Sequence, residues 1–139
     1  MKRRSKLAIL LCVTMAILLV AGYFTKPMVW NSTTGTFYTD AERQVRDTYY
    51  KYNAAINAGD GDTVYNMLSP SAKDRYPLFE IKGVKVPQWQ GATVDKVVGV
   101  LIKGDSAYVD VIETDLNGKS AVDRKEWFCN AGTWQRDLP

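Results

Sequence analysis

The 139-residue chain predicts an α+β domain, helices first and an antiparallel sheet after, behind one membrane-directed segment. Three observations lead there. Residues 7–24 carry no charged side chain, residues 40–76 place apolar side chains at helical spacing, and from Leu78 onward the period falls toward two between glycine turns. Helices followed by a meander give a long helix plus short helices packed on a curved antiparallel sheet of about four to five strands.

The first element is the apolar run Leu7 to Phe24, 18 residues long. As a helix it spans about 27 Å, just short of a ~30 Å hydrocarbon core, and Tyr23 and Phe24 at the interface absorb the difference. Ten of its side chains are Leu, Ile, Val or Phe, each favouring insertion by about 0.3–0.6 kcal/mol. Lys2, Arg3, Arg4 and Lys6 precede it, so the positive-inside rule keeps the amino terminus in the cytoplasm and sends the rest across. Two fates follow. The run stays as a single-pass anchor, or it is cleaved near Gly22, after Val20-Ala21, and the domain is secreted. Its length exceeds the ~7–15 residues of a usual signal core, which favours the anchor.

Charge divides the same way. The formal net charge is +3, from 18 Lys and Arg against 15 Asp and Glu; the four basic residues of the tip leave 14 against 15, or −1, for the remainder. No basic cluster remains to follow a phosphate backbone, so nucleic acid is not an expected partner. Cys12 lies in the apolar run and Cys129 in the domain, so no internal disulfide is expected, and Cys129 after Trp127-Phe128 reads as a small core residue. Histidine is absent, which removes the commonest general base and metal ligand together. No metal and no cofactor is expected.

Residues 25–38 (TKPMVWNSTTGTFY) read as a linker, and Asn31-Ser32-Thr33 within them as polar tether sequence rather than a glycan acceptor. The domain then occupies 39–139. Thr39 and Glu42 form a capping box, and Val45, Tyr49, Tyr52 and Ile56 make one helical face that Gly59 ends. Asp60-Gly61-Asp62 starts a short helix closed by Ser69-Pro70, and a further turn runs from Ser71 to Tyr76-Pro77. Extended stretches are predicted over Phe79 to Val86, Thr93 to Ile102, Ala107 to Asp115 and Ala121 to Cys129, with a closing strand at Trp134. Asn117-Gly118 is the strongest hairpin signal.

This order resembles the nuclear transport factor 2-like superfamily. The matching pieces are Val45–Ile56, Ala58-Gly59-Asp60, Met67-Leu68-Ser69-Pro70 and Gly132-Thr133-Trp134, and the likeness covers about residues 40 to 137. It implies a cone, with the sheet wrapping the long helix and a pocket at the open end. The superfamily holds ketosteroid isomerases, scytalone dehydratases and polyketide cyclases beside many non-catalytic members. A membrane helix followed by one such domain is most similar to exported bacterial domains and to the extracytoplasmic domains of secretion and conjugation assemblies. The implied function is a non-catalytic protein-interaction or accessory role in the cell envelope, as a homodimer or with another envelope protein. The alternative is a small apolar-ligand binder, or an isomerase- or dehydratase-like enzyme using the cone.

The superfamily's enzymes rely on a pocket carboxylate, a tyrosine donor or an Asp–His pair, and the last is excluded without histidine. Glu113 shares strand parity with Val109 and Val111 and is the weak catalytic candidate, because burial raises a carboxylate pKa toward a working range. Asp115, Asp123 and Lys125 crowd the same hairpin end, the pattern of a solvated rim with ion pairs worth ~0–1 kcal/mol each, so no catalytic residue is assigned. Tyr49, Tyr52, Val111, Trp127 and Trp134 are the expected pocket residues. As aromatics between helix and sheet, four of them read first as ordinary core.

Overall fold

The structure, a computed structural model, describes residues 28–90 and 93–139. The basic tip and the apolar run 7–24 lie outside them. Among the described residues no helix is long and apolar enough to cross a membrane.

Helix α1 (Asp40–Asn57) starts where the capping box predicts. The Glu42 amide donates to Thr39 Oγ1 at 3.2 Å, and the Thr39 amide donates to Glu42 Oε2 at 2.8 Å. Its Val45, Tyr49, Tyr52 and Ile56 are buried, and Gly59 takes φ +71° just past the end. Asp60 caps α2 (Gly61–Asn66) through the Thr63 amide at 3.0 Å, which gives the acidic pair 60/62 a structural role. Ser69 caps α3 (Pro70–Arg75) through the Ala72 amide at 3.1 Å.

The stretch predicted as a first strand, Phe79 to Val86, is helical instead. It comprises α4 (Leu78–Glu80), a π-helical turn (Ile81–Lys85) and α5 (Val86–Trp89). Ile81 and Val86, five apart, are both fully buried, while Phe79 and Val84 stay exposed. That spacing suits the wider π turn, which also carries the chain into Pro87, a residue with no amide to donate to a preceding carbonyl.

The remaining strands form one antiparallel sheet in the order β3-β4-β5-β6: β3 (Thr93–Lys103), β4 (Ser106–Thr114), β5 (Ser120–Asn130) and β6 (Thr133–Arg136). Register shifts at Val94/Lys96 and Val97/Gly99 mark bulges, which bend β3. One sheet face packs on α1 through Val97, Val100, Ala107, Val109, Val111 and Trp127, all buried. The architecture is thus α+β with a four-stranded antiparallel sheet. The connection between β4 and β5 is a five-residue turn rather than a two-residue one, because the Asp115 carboxylate accepts from the Asn117 and Lys119 amides at 2.8 and 2.9 Å. Cys129 is half-buried rather than core, since β5 runs out into the turn beside it.

The described part of the segment read as a linker also folds. β1 (Trp30–Asn31) and β2 (Thr36–Phe37) pair as a small hairpin against the free edge of β3. Asn31 is fully buried; its amide nitrogen donates to the Val100 carbonyl at 2.7 Å and its oxygen accepts from the Val100 amide at 3.1 Å. The side chain therefore supplies the backbone pairing that an edge strand lacks. With both amide atoms engaged inside, Asn31 is no glycan acceptor.

Candidate functional site on the helix-facing side of the sheet

Strand parity decides which side chains meet α1. In β4 and β5 the pairs Ala107–Trp127, Val109–Lys125, Val111–Asp123 and Glu113–Ala121 lie opposite one another. Val109, Val111 and Trp127 close the floor under the helix. Toward the end of the sheet the same face turns polar with Lys125, Asp123 and Glu113. Trp127 is wholly buried and stands edge-on to Tyr49 and Tyr52, with ring centres 6.3 and 5.5 Å away. These contacts fill the centre of the domain and leave a half-open cavity of about 340 Å³ beyond it.

Of the predicted pocket residues, Tyr49, Tyr52 and Glu113 line this cavity. Trp127 and Val111 lie in the core, and Trp134 lines a separate cleft with Gln44, Thr48 and Met67. The other cavity residues are Asn53, Ile56, Tyr76, Lys85, Trp89, Lys125, Arg136, Leu138 and Pro139. Of these, Arg136 matters most. Its backbone is gripped on two sides: opposite Trp127 in β5, and against the turn before α3, where it donates to the Met67 carbonyl at 2.8 Å and accepts from the Ser69 amide at 2.9 Å. Its side chain is buried, and Nη1 donates to the Glu126 carbonyl at 2.7 Å and to the Asp137 carbonyl. It forms no ion pair among the described residues, and burial pulls its pKa below the ordinary arginine value. A buried cation without a carboxylate partner is costly, and it attracts an anion from outside.

The lining is rich in donors and poor in acceptors. Lys85, Lys125, Arg136, the Asn53 amide and the hydroxyls of Tyr49 and Tyr52 line it beside Glu113, the one acidic side chain among them. No hydrogen bond to either hydroxyl is found among the described residues. Burial pushes the Tyr52 pKa up to about 12 and raises that of Tyr49 further, so both stay protonated donors at neutral pH. Glu113 accepts an ion pair from Lys125 Nζ at 2.9 Å, and Lys125 also holds Asp123, whose pKa is lowered by that bond. The ion pair engages Glu113 Oε1 and favours its charged form, which gives the carboxylate a structural partner in the cavity wall. Among the described residues no group of three His, Cys, Asp or Glu side chains is placed to hold a metal ion.

The C-terminal edge of the cavity is fixed by α3. Ser69 Oγ donates to Asp137 Oδ1 at 2.7 Å, Arg75 pairs with Asp137 at 3.2 Å and also donates to the Leu138 carbonyl, and the Tyr76 hydroxyl donates to Pro139 O at 2.9 Å. No periodicity in the sequence singles out Arg136, although its register opposite Trp127 puts it on the inner face by the same parity that selects Glu113.

No protein-family model matches the chain, and no curated protein is similar to it. Among solved structures it is similar to a protein of Campylobacter jejuni described as a candidate NTF2-like transpeptidase. The two are 15% identical, the match covers 68% of this chain and 97% of that one, and the TM-score is 0.49. A likeness of that size carries nothing about activity.

Proposed function

We propose that the chain is a membrane-anchored extracytoplasmic domain of the exported nuclear transport factor 2-like type, which binds a small ligand and does not transform it. The ligand has an apolar body and an acidic group. The observation that carries this reading is Arg136, buried at the wall of a half-open cavity and without an ion pair among the described residues. The apolar body packs on Tyr52, Ile56 and Trp89, and the acid faces Arg136 and the two tyrosine hydroxyls. A volume near 340 Å³ lies within the range of small-molecule sites. The ion-paired state of Glu113 supports binding over general-base chemistry.

Calorimetric titration of the full chain in detergent micelles tests the reading, using a panel of aryl and alkyl carboxylates beside their primary amides. Saturable binding of acids, at least tenfold tighter than the matching amides, is expected. Equal affinity for both, or turnover of any member, contradicts it.

A protein partner is the second reading. On the outer sheet face Ile112 lies opposite Val122, which is largely exposed, and that face supports a homodimer or another envelope protein. Light scattering of the full chain in micelles separates a dimer from a monomer.

A further inference from the structure

The hairpin β1–β2 displays an apolar surface that the cavity does not use. Met28 is 70% exposed, Trp30 54% and Phe37 47%, with Val29 beside them. Trp30 and Phe37 are cross-strand partners whose rings meet edge to face at 5.5 Å. They do not drift, because the adjacent Asn31 is locked into β3 by two buried hydrogen bonds. The exposed Lys96, with Arg46 that is already paired to Asp47, lines the same groove together with Trp30 and Tyr50. Aromatic rings held outward among cations make a surface suited to a lipid headgroup layer, where amphipathic rings collect and anionic lipids attract Lys and Arg.

Chain length places that layer within reach. Only Thr25, Lys26 and Pro27 separate Phe24, the end of the apolar run, from Met28. Four residue steps span at most about 14 Å when fully extended, and six steps, to Trp30, at most about 22 Å. The headgroup region itself is several ångströms deep on each side. A tether this short keeps the hairpin, the first element after it, within about 22 Å of the hydrocarbon.

We propose that the β1–β2 hairpin is a membrane-contact surface, with Trp30 and Phe37 at the boundary between headgroups and acyl chains. The inference rests on reading residues 7–24 as a membrane segment. It adds that the domain sits in one orientation, hairpin down, rather than swinging on a tether.

The test is quenching of tryptophan emission in the full chain, reconstituted in phosphatidylcholine–phosphatidylglycerol vesicles with and without acyl-brominated phosphatidylcholine. The chain has four tryptophans, and the Trp30 contribution is the difference between the native protein and Trp30→Phe. This exposed substitution keeps an aromatic ring opposite Phe37. Bromolipid is expected to quench the difference emission and to leave Trp30→Phe unchanged. Equal quenching of both proteins, or of neither, in vesicles with which the protein floats overturns the hairpin contact while the anchor stands. A difference emission that follows protein density rather than bromolipid assigns the surface to a second copy and also overturns it. Failure of the full chain to float with vesicles removes the membrane reading of 7–24, and this inference with it.

Discussion

Two ion pairs sit back to back on β4 and β5, and their surroundings could hardly differ more. On the outer face Asp110 takes both Arg124 Nε and Nη2, at 2.6 and 2.9 Å, and also accepts from Thr33 Oγ1 at 2.8 Å. Thr33 reaches across β3 only because residue 99, opposite Asp110, is glycine. On the helix-facing side, Glu113 and Lys125 border an open cavity in which Arg136 and two tyrosine hydroxyls keep bonding capacity in reserve. The outer cluster is closed: its acid is buried, bonded and covered, so it holds the hairpin to the sheet. The inner cluster has donors left over. Surplus donors in a buried wall distinguish a binding surface from a clamp.

The comparison can be broken most severely at Asn31. Asn31→Ala leaves the Val100 amide and carbonyl buried and unbonded, at about 1–3 kcal/mol for each lost group, so a destabilisation of about 2–6 kcal/mol is expected. Amide exchange at Val100 and Ser32 should accelerate, and denaturant midpoints should fall. Gly99→Ala comes next. Its new Cβ would overlap Thr33 Oγ1 and Asn31 Oδ1 and lie 2.6 Å from Thr33 Cβ. Pushing the hairpin off its seat costs about 1–3 kcal/mol by the usual cost of overpacking. Neither change should alter ligand binding in the cavity, and a parallel loss of both would show that clamp and pocket are one unit.

Asp110→Asn removes the charge of the clamp and should cost about 1–2 kcal/mol, moderated because Arg124 is half exposed. Its pH signature follows from the lowered pKa of Asp110, caused first by the Arg124 hydrogen bond. A depressed folded value means that the contribution is present above the unfolded aspartate range and is lost as pH falls through the folded value. The stability difference between the native protein and the Asp110→Asn variant should therefore vanish in acid, as read from denaturation midpoints at a series of pH values. Tyr52→Phe is the smallest change. It should leave stability within about 0.5 kcal/mol, since the hydroxyl bonds nothing among the described residues. Affinity for an acidic ligand should weaken at least about tenfold, the worth of one hydrogen bond to a charged group.

Much of this architecture is legible in the sequence wherever one periodicity runs unopposed. The capping box at Thr39, the face of α1 and the alternation of β4 all translate directly into burial. The stretch Phe79 to Val86 reads as a strand because Ile81, Val84 and Val86 are interspersed with Lys82 and Lys85, while the pairing that matters is the five-residue step from Ile81 to Val86. The hairpin reads as a linker because its strands are two residues long and carry no alternation. Its anchor is one asparagine bonding a residue 69 positions away, which no local pattern reports. At the site, parity brings out Glu113, and helical spacing brings out Tyr49 and Tyr52. Arg136 escapes because a lone arginine in a four-residue strand near the chain end looks like surface until its register with Trp127 is known.

The central claim is that the cavity beside Arg136, and not the hairpin side, receives an acidic ligand. Its most direct test is a heteronuclear NMR titration of the full chain in micelles with an aryl carboxylate. Shifts should concentrate at Tyr52, Asn53, the Trp89 indole and the Arg136 guanidinium, while Asn31, Thr33 and Val100 stay still. Shifts clustered on the hairpin, or a ligand that leaves Arg136 and Trp89 unmoved at saturation, would contradict the account.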